Sequence, residues 1–144
     1  MNRAPELARL VRFYEGIERA SLRARLELIY ASDAQFKDPF NEVRGVEAIV
    51  RIFQHMFEQV DQPRFVVTST VLQGDDAFLT WEFLFRMKRF SGEAQCIRGA
   101  THIRFDTNGA VMTHRDYWDA AEELYEKLPI IGSVMRWLKR RANK

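Results

Sequence analysis

Five side chains in this sequence could move a proton or hold an oxygen that receives one. Asp38 stands before Pro39 and between Phe36 and Phe40. Partial desolvation at the edge of an apolar pocket moves a carboxylate towards the range useful to a general base. The same Asp-Pro pair is also a common turn starter. His114 and Asp116 belong to the series Met112, His114, Asp116 and Trp118, which a strand holds on one face. Their side chains would stand ~7 Å apart, near enough to share a water or a substrate, or to form a structural polar pair. Glu82 lies between bulky residues in Thr80-Trp-Glu-Phe-Leu-Phe85, where a buried carboxylate needs a partner or must be neutral. The alternation leaves open whether Glu82 or the set Trp81, Phe83 and Phe85 faces inwards. Tyr14 falls on an apolar helical stripe, so its phenol oxygen needs a partner, which a backbone carbonyl could also supply.

Other chemistries are poorly provided for. No spacing of His, Asp, Glu or Cys resembles a metal motif, and no glycine-rich loop is built for phosphate. The single cysteine, Cys96, excludes an internal disulfide and a cysteine cluster. His55 sits one residue off a helical stripe, and His102 alternates opposite His114 and reads as an interface residue. Proton transfer between such groups needs no cofactor, so none is expected.

These residues need elements to hold them. Pro5 suits the first turn of a helix, after which Leu7, Leu10, Val11, Tyr14 and Ile17 recur at helical spacing. Ser21 can cap a second helix with Leu22, Leu26, Ile29 and Tyr30 inside. Residues 34–39 read as a short strand, and Gly45 opens a third helix with Val46, Ile49, Phe53, Met56, Phe57 and Val60 on its apolar face. From Arg64 the period drops to two, and residues 64–72, 77–90, 94–105 and 110–118 read as strands. Gly74-Asp75-Asp76, Ser91-Gly92 and Asn108-Gly109 mark tight turns, so these four strands form an antiparallel meander. Asp119 and Glu122 form a capping box for a helix that Pro129 ends, and a last amphipathic piece follows from Ile130.

The expected architecture is one α+β domain over residues 1–144. Three N-terminal helices cover one face of a curved antiparallel sheet, enclosing a cone-shaped apolar pocket, with a C-terminal helix added. A net charge of +2 is too small for a dedicated nucleic-acid binder, and no apolar run approaches the ~20 residues of a membrane span. The mixed charges of the first eight residues do not resemble a signal peptide, so the cytoplasm is the expected compartment. The basic tail, with Arg136, Lys139, Arg140, Arg141 and Lys144, reads as the solvated end of a docked helix.

This order of elements resembles the nuclear transport factor 2-like superfamily, which includes ketosteroid isomerases, limonene-epoxide hydrolases and SnoaL-like polyketide-cyclase domains. Tyr30-Ala-Ser-Asp-Ala-Gln-Phe-Lys-Asp-Pro39 resembles the isomerase segment that ends in a catalytic Asp followed by Pro, and the separation of Tyr14 from Asp38 matches the isomerase spacing. Ile103-Arg-Phe-Asp-Thr-Asn-Gly109 resembles the last hairpin. Arg115-Asp-Tyr-Trp-Asp119, with a helix ending in Leu128-Pro129, resembles the C-terminal stretch of the epoxide hydrolases.

The resemblance implies that Asp38 is a general base and that Tyr14 donates to a developing enolate oxygen. Thr101 takes the place of the isomerases' protonated Asp, and His114 and Asp116 face the pocket. It argues against epoxide hydrolysis, because Glu82, Leu84, Phe36 and Asp38 replace the remaining residues of the water-activating set. The expected function is cofactor-free proton transfer on a hydrophobic carbonyl compound, of isomerase or polyketide cyclase type. Asp38, Tyr14, Asp116 and His114 would be catalytic; Thr101, Trp118, Glu82, Phe36 and Phe53 would bind substrate, with no metal. The alternatives are a non-catalytic module for a hydrophobic ligand and a protein-interaction scaffold. A homodimer through the sheet follows if Trp81, Phe83 and Phe85 point outwards as an apolar patch.

Overall fold

The computed structural model describes residues 2–88, 94–123, 137 and 140–142. The expected Ser91-Gly92 turn, the stop at Pro129 and the amphipathic piece from Ile130 lie outside them, apart from Trp137 and residues 140–142. Helix α1 runs Ala4–Glu15 with Pro5 in its first turn, α2 runs Leu22–Ile29 and α3 runs Val46–Gln59. Strands are β1 Tyr30–Lys37, β2 Glu42–Arg44, β3 Val60–Gln73, β4 Asp76–Met87, β5 Ala94–Phe105 and β6 Val111–Tyr117. Helix α4 opens at Ala120 and is described to Glu123, with the Glu122 N–H donating to the Asp119 carboxylate as the capping box requires.

The six strands form one sheet in the order β2-β1-β6-β5-β4-β3. Strands β3 to β6 make the expected antiparallel meander. The sheet as a whole is mixed, because β1 lies parallel to β6. A parallel neighbour needs a long crossover, and here everything from β2 to β5 supplies it. Strand β1 also begins four residues earlier than its sequence pattern suggests. Tyr30, assigned by periodicity to the helical stripe, has extended backbone angles and starts the strand. A register shift between Tyr30 and Gln35 follows, after which Phe36 pairs with His114.

The helices pack their apolar stripes on one face of the sheet. Leu10, Phe13, Leu22, Leu26, Ile49 and Val50 meet Ala77, Ile103, Phe105 and Val111 in a buried core. Arg3 fastens the start of α1 to two hairpin turns. It donates to Asp75 at 2.9 Å and to the carbonyls of Asp106 and Thr107 at 3.0 and 3.2 Å.

The parity that the sequence leaves open is resolved on β4. Trp81, Phe83 and Phe85 are buried beneath the helices, so Glu82 stands on the outer face, opposite Arg98. This corrects two expectations. Glu82 does not reach the pocket, and the outward aromatic patch invoked for a dimer is part of the interior. The enclosure decides the parity: three rings need burial, whereas a carboxylate on the outer face keeps its water. His102 lies on that outer face as expected, bonded to Asp76 at 2.8 Å and stacked on Phe78.

Candidate active site

Six side chains from five elements meet beneath the helices in a continuous hydrogen-bonded chain. Helix α1 brings Tyr14, β1 Tyr30, β4 Trp81, β5 Thr101, and β6 both His114 and Asp116. The Trp81 indole N–H donates to Thr101 Oγ1 at 2.7 Å, and the Thr101 hydroxyl donates to Asp116 Oδ1 at 2.6 Å. His114 Nε2 lies 2.7 Å from the same Oδ1. Tyr30 Oη lies 2.8 Å from His114 Nδ1, and Tyr14 Oη lies 2.5 Å from Tyr30 Oη.

The donor inventory gives this chain a direction. An indole N–H can only donate and an ionised carboxylate can only accept. With Asp116 ionised, His114 places its proton on Nε2, so Nδ1 accepts from Tyr30 and Tyr30 accepts from Tyr14. Every proton then points towards Asp116 Oδ1. Burial raises Tyr14 and Tyr30 above the ordinary phenol range, and the Asp116 charge adds to it. Both phenols are therefore neutral donors at physiological pH. The Phe36 ring stacks on His114 at 4.5 Å between centroids and fixes its plane.

The chain borders two neighbouring spaces. An inner chamber of about 40 Å³ is lined by Leu10, Tyr14, Leu79, Thr101, Ile103 and His114, among others. It has room for roughly two or three waters, or for one small polar group of a ligand. An outer chamber of about 230 Å³ is lined by Phe36, Phe40, Phe83, Phe85, Met56 and Trp118, among others. Phe53, Phe65, Trp81 and Asp116 border both, so the Asp116 side chain stands between the two spaces. Among the described residues no lysine or arginine lines either chamber, and no group of three His, Cys, Asp or Glu could hold a metal ion.

The sequence-derived candidates divide between these places. Tyr14, Thr101, His114 and Asp116 share the hydrogen-bonded chain. Phe36, Phe53 and Trp118 line the outer chamber, as does Asp38. Asp38 closes a turn there. Its Oδ1 accepts from the Phe40 and Asn41 N–H groups at 2.8 and 2.7 Å, and Asn41 Nδ2 donates to both its oxygens. Tyr14 lines the inner chamber and Asp38 the outer, so the expected pair do not border one space. His114 and Asp116 bond directly rather than facing each other across a gap. Tyr30 and Trp81 complete the chain, although neither carries a sequence signal for the site. Tyr30 was hidden by its place at a helix–strand junction, and Trp81 by the unresolved parity of β4.

The fold is shared with many solved structures at low identity. A candidate SnoaL-like polyketide cyclase from Jannaschia matches with a TM-score of 0.72 at 16% identity, over 85% of this chain and 93% of that one. A nuclear transport factor 2-like protein of unknown function from Burkholderia pseudomallei matches with a TM-score of 0.72 at 17% identity, over 85% and 95%. A Catenulispora acidiphila protein with a ketosteroid isomerase-like fold, solved with trimethylamine, matches with a TM-score of 0.70 at 15% identity, over 84% and 90%. No curated protein sequence matches the chain. The family model described as a SnoaL-like domain matches residues 10–114, the stretch that carries Tyr14, Tyr30, Trp81, Thr101 and His114, and the chain therefore belongs to the SnoaL-like family.

Proposed function

We propose that this protein catalyses cofactor-free proton transfer next to the carbonyl of a neutral, hydrophobic compound, with Asp116 as the base. The observation that carries this reading is the chain of hydrogen bonds converging on Oδ1 of Asp116, a residue that lines both chambers. Oδ2 has no such partner among the described residues and is left to the cavity. The aromatic lining of the outer chamber suits flat hydrophobic rings. The inner chamber suits the carbonyl group alone. Two carboxylates border the outer chamber, which disfavours an anionic substrate.

Asp116 Oδ2 takes a proton from the carbon beside the carbonyl, and the C–H electron pair moves to the carbonyl oxygen. His114 stays neutral, with its Nε2–H on Asp116 Oδ1 and Nδ1 accepting from Tyr30. The Tyr14 hydroxyl, which lines the inner chamber, turns from Tyr30 to donate a hydrogen bond to the developing enolate, so no proton beyond the one held by Asp116 is required. Asp116 then returns the proton to carbon, at the same position or a conjugated one. Membership of a family with polyketide-cyclase relatives supports this reaction class.

The test is deuterium incorporation next to the carbonyl of bicyclic ketones in deuterated buffer. Wild type should exchange, Asp116→Asn should lose the exchange, and Asp38→Asn should keep it. Equal exchange in wild type and Asp116→Asn would refute the assignment. The small inner chamber also supports a second reading, a module that binds hydrophobic ligands without chemistry. Thermal stabilisation by the ketones with no exchange in wild type would select it.

A further inference from the structure

We propose that Trp81, seated by Gly99, is a positioning residue of this site. Acting through Thr101, it fixes which oxygen of Asp116 is tied down and which is left for substrate. The proposal deepens the proton-transfer reading and takes its meaning from it, but the structural test requires no substrate.

Trp81 and Gly99 are direct partners across the β4–β5 ladder. A Cβ built on Gly99 would lie 2.5 Å from Cζ2 and 2.6 Å from Cη2 of the Trp81 indole. Non-bonded carbons do not approach so closely, so the indole fills the space in which any other residue at 99 would put its side chain. Close approach, rather than an unusual backbone angle, is why this position suits glycine. The Phe65 ring meets the indole edge-on from β3, with centroids 5.9 Å apart. Backbone on one side and an aromatic edge on the other leave the indole one seat.

From that seat Nε1 reaches Thr101, two residues beyond Gly99 on the same strand. A threonine hydroxyl can rotate to donate to whichever acceptor is near. The indole removes that choice. Its N–H can only donate, so Thr101 accepts from Trp81 and sends its own proton to Asp116 Oδ1. That oxygen also bonds His114, so two bonds fall on Oδ1 and Oδ2 stays open to the cavity. Trp81 thus acts at a distance of two hydrogen bonds, and it also borders both chambers.

The experiment uses the full chain labelled with nitrogen-15 and three variants: Trp81→Phe, Gly99→Ala and the double variant. Two quantities are read. One is the NMR position of the His114 Nε2–H proton, which reports the bond to Asp116; the other is the urea midpoint. Trp81→Phe keeps a ring in the seat but deletes the donor, so the His114 signal should shift with little loss of stability. Gly99→Ala should shift the same signal, disturb the Trp81 indole N–H and lower the midpoint clearly. In the double variant the smaller ring lacks the atoms that meet the new methyl, so Gly99→Ala should cost much less than it does alone. Strong non-additivity of this kind marks direct contact.

A His114 signal unmoved in Trp81→Phe would overturn the positioning role, and additive midpoints would overturn the seat. If Gly99→Ala fails to fold alone, folding of the double variant supports the seat, failure of both overturns it, and Trp81→Phe still decides the role. Loss of ketone exchange in Asp116→Asn is measured separately, so a failure of the proton-transfer reading is distinguishable from a failure here.

Discussion

Raising the pH above about 10, where an exposed phenol ionises, should unfold this protein cooperatively, with Tyr14 and Tyr30 setting the slope. Tyr14 is 8% exposed and Tyr30 3%. Burial is the main reason both are held above the ordinary range. For Tyr30 the bond from Tyr14 works against it without cancelling it. The sign follows from proton counts. The folded state keeps both phenolic protons while the unfolded chain releases them, so the stabilising effect is complete below about 10 and is lost as pH rises beyond it. Each tyrosine contributes about 1.4 kcal/mol per pH unit, so the pair removes about 2.7 kcal/mol per unit. Two units therefore remove about 5 kcal/mol, a large share of the ~5–15 kcal/mol of a typical domain. Urea midpoints at a series of alkaline pH values measure the slope, and phenolate absorbance with circular dichroism shows whether ionisation and unfolding coincide. Tyr14→Phe and Tyr30→Phe should each reduce the slope by about one proton. Two additional phenolates forming near pH 10 (about the free-phenol value) in a protein that keeps its native circular dichroism would refute the reasoning, as would an unchanged slope in both variants.

Two further outcomes can be measured directly. Gly109→Ala should destabilise by more than about 1 kcal/mol in urea. The residue has φ of 82°, and its new Cβ would lie 2.9 Å from Glu6 Oε1 and 3.0 Å from Arg3 Nη1; a midpoint within error of wild type would contradict this. The outer sheet face exposes Val71, Phe78 and Tyr117, which keeps a homodimer through the sheet as the expected state despite the inward turn of Trp81, Phe83 and Phe85. Light scattering at micromolar concentration should give twice the chain mass and Phe78→Asp should give the monomer, whereas a monomeric wild type would remove the expectation.

What the sequence makes legible is what short-range physics controls. The Asn-Gly turn and the Asp119 cap depend on neighbours in the chain, and the structure has them where the residues put them; the period change after α3 is also there, but the strand begins at Val60, which has extended backbone, four residues before Arg64. The inward placement of His114 and Asp116 could be anticipated only as a shared face. Their direct bond depends on how side chains two apart lean within a twisted strand, which spacing alone does not give. Parity on β4 was illegible because Thr80 to Phe85 alternates bulky residues with a charge and with Leu84, so both faces look burial-prone. Tyr30 was illegible for a different reason. A residue in helical phase that also begins a strand satisfies two patterns, and the tertiary pairing with β6 chooses between them.

The choice of Asp116 over Asp38 turns on lone pairs. A carboxylate offers about four acceptor sites. Asp38 has both oxygens engaged, Oδ1 by three donors and Oδ2 by one, all within its own turn. Taking a proton from a substrate would neutralise the carboxylate and weaken the bonds that close the path from β1 to β2. Asp116 spends two sites, both on Oδ1, and its donors arrive from Thr101 and His114 at 2.6 and 2.7 Å. This makes a prediction that separates the two acids by substitution chemistry. Asparagine keeps one carbonyl oxygen, which is enough to accept the two backbone N–H groups at Asp38, so Asp38→Asn should melt close to wild type. Asp38→Ala removes the acceptor and should lose about 1 kcal/mol, the usual scale for a side chain that satisfies turn or cap N–H groups. At Asp116 the same asparagine replaces an acceptor-only group with one that also brings two donors. Ketone exchange should therefore fail at Asp116→Asn even though the protein folds, and survive at Asp38→Asn. Exchange lost in Asp38→Asn while its melting curve stays at wild type would show that the turn carboxylate, not Asp116, takes the proton.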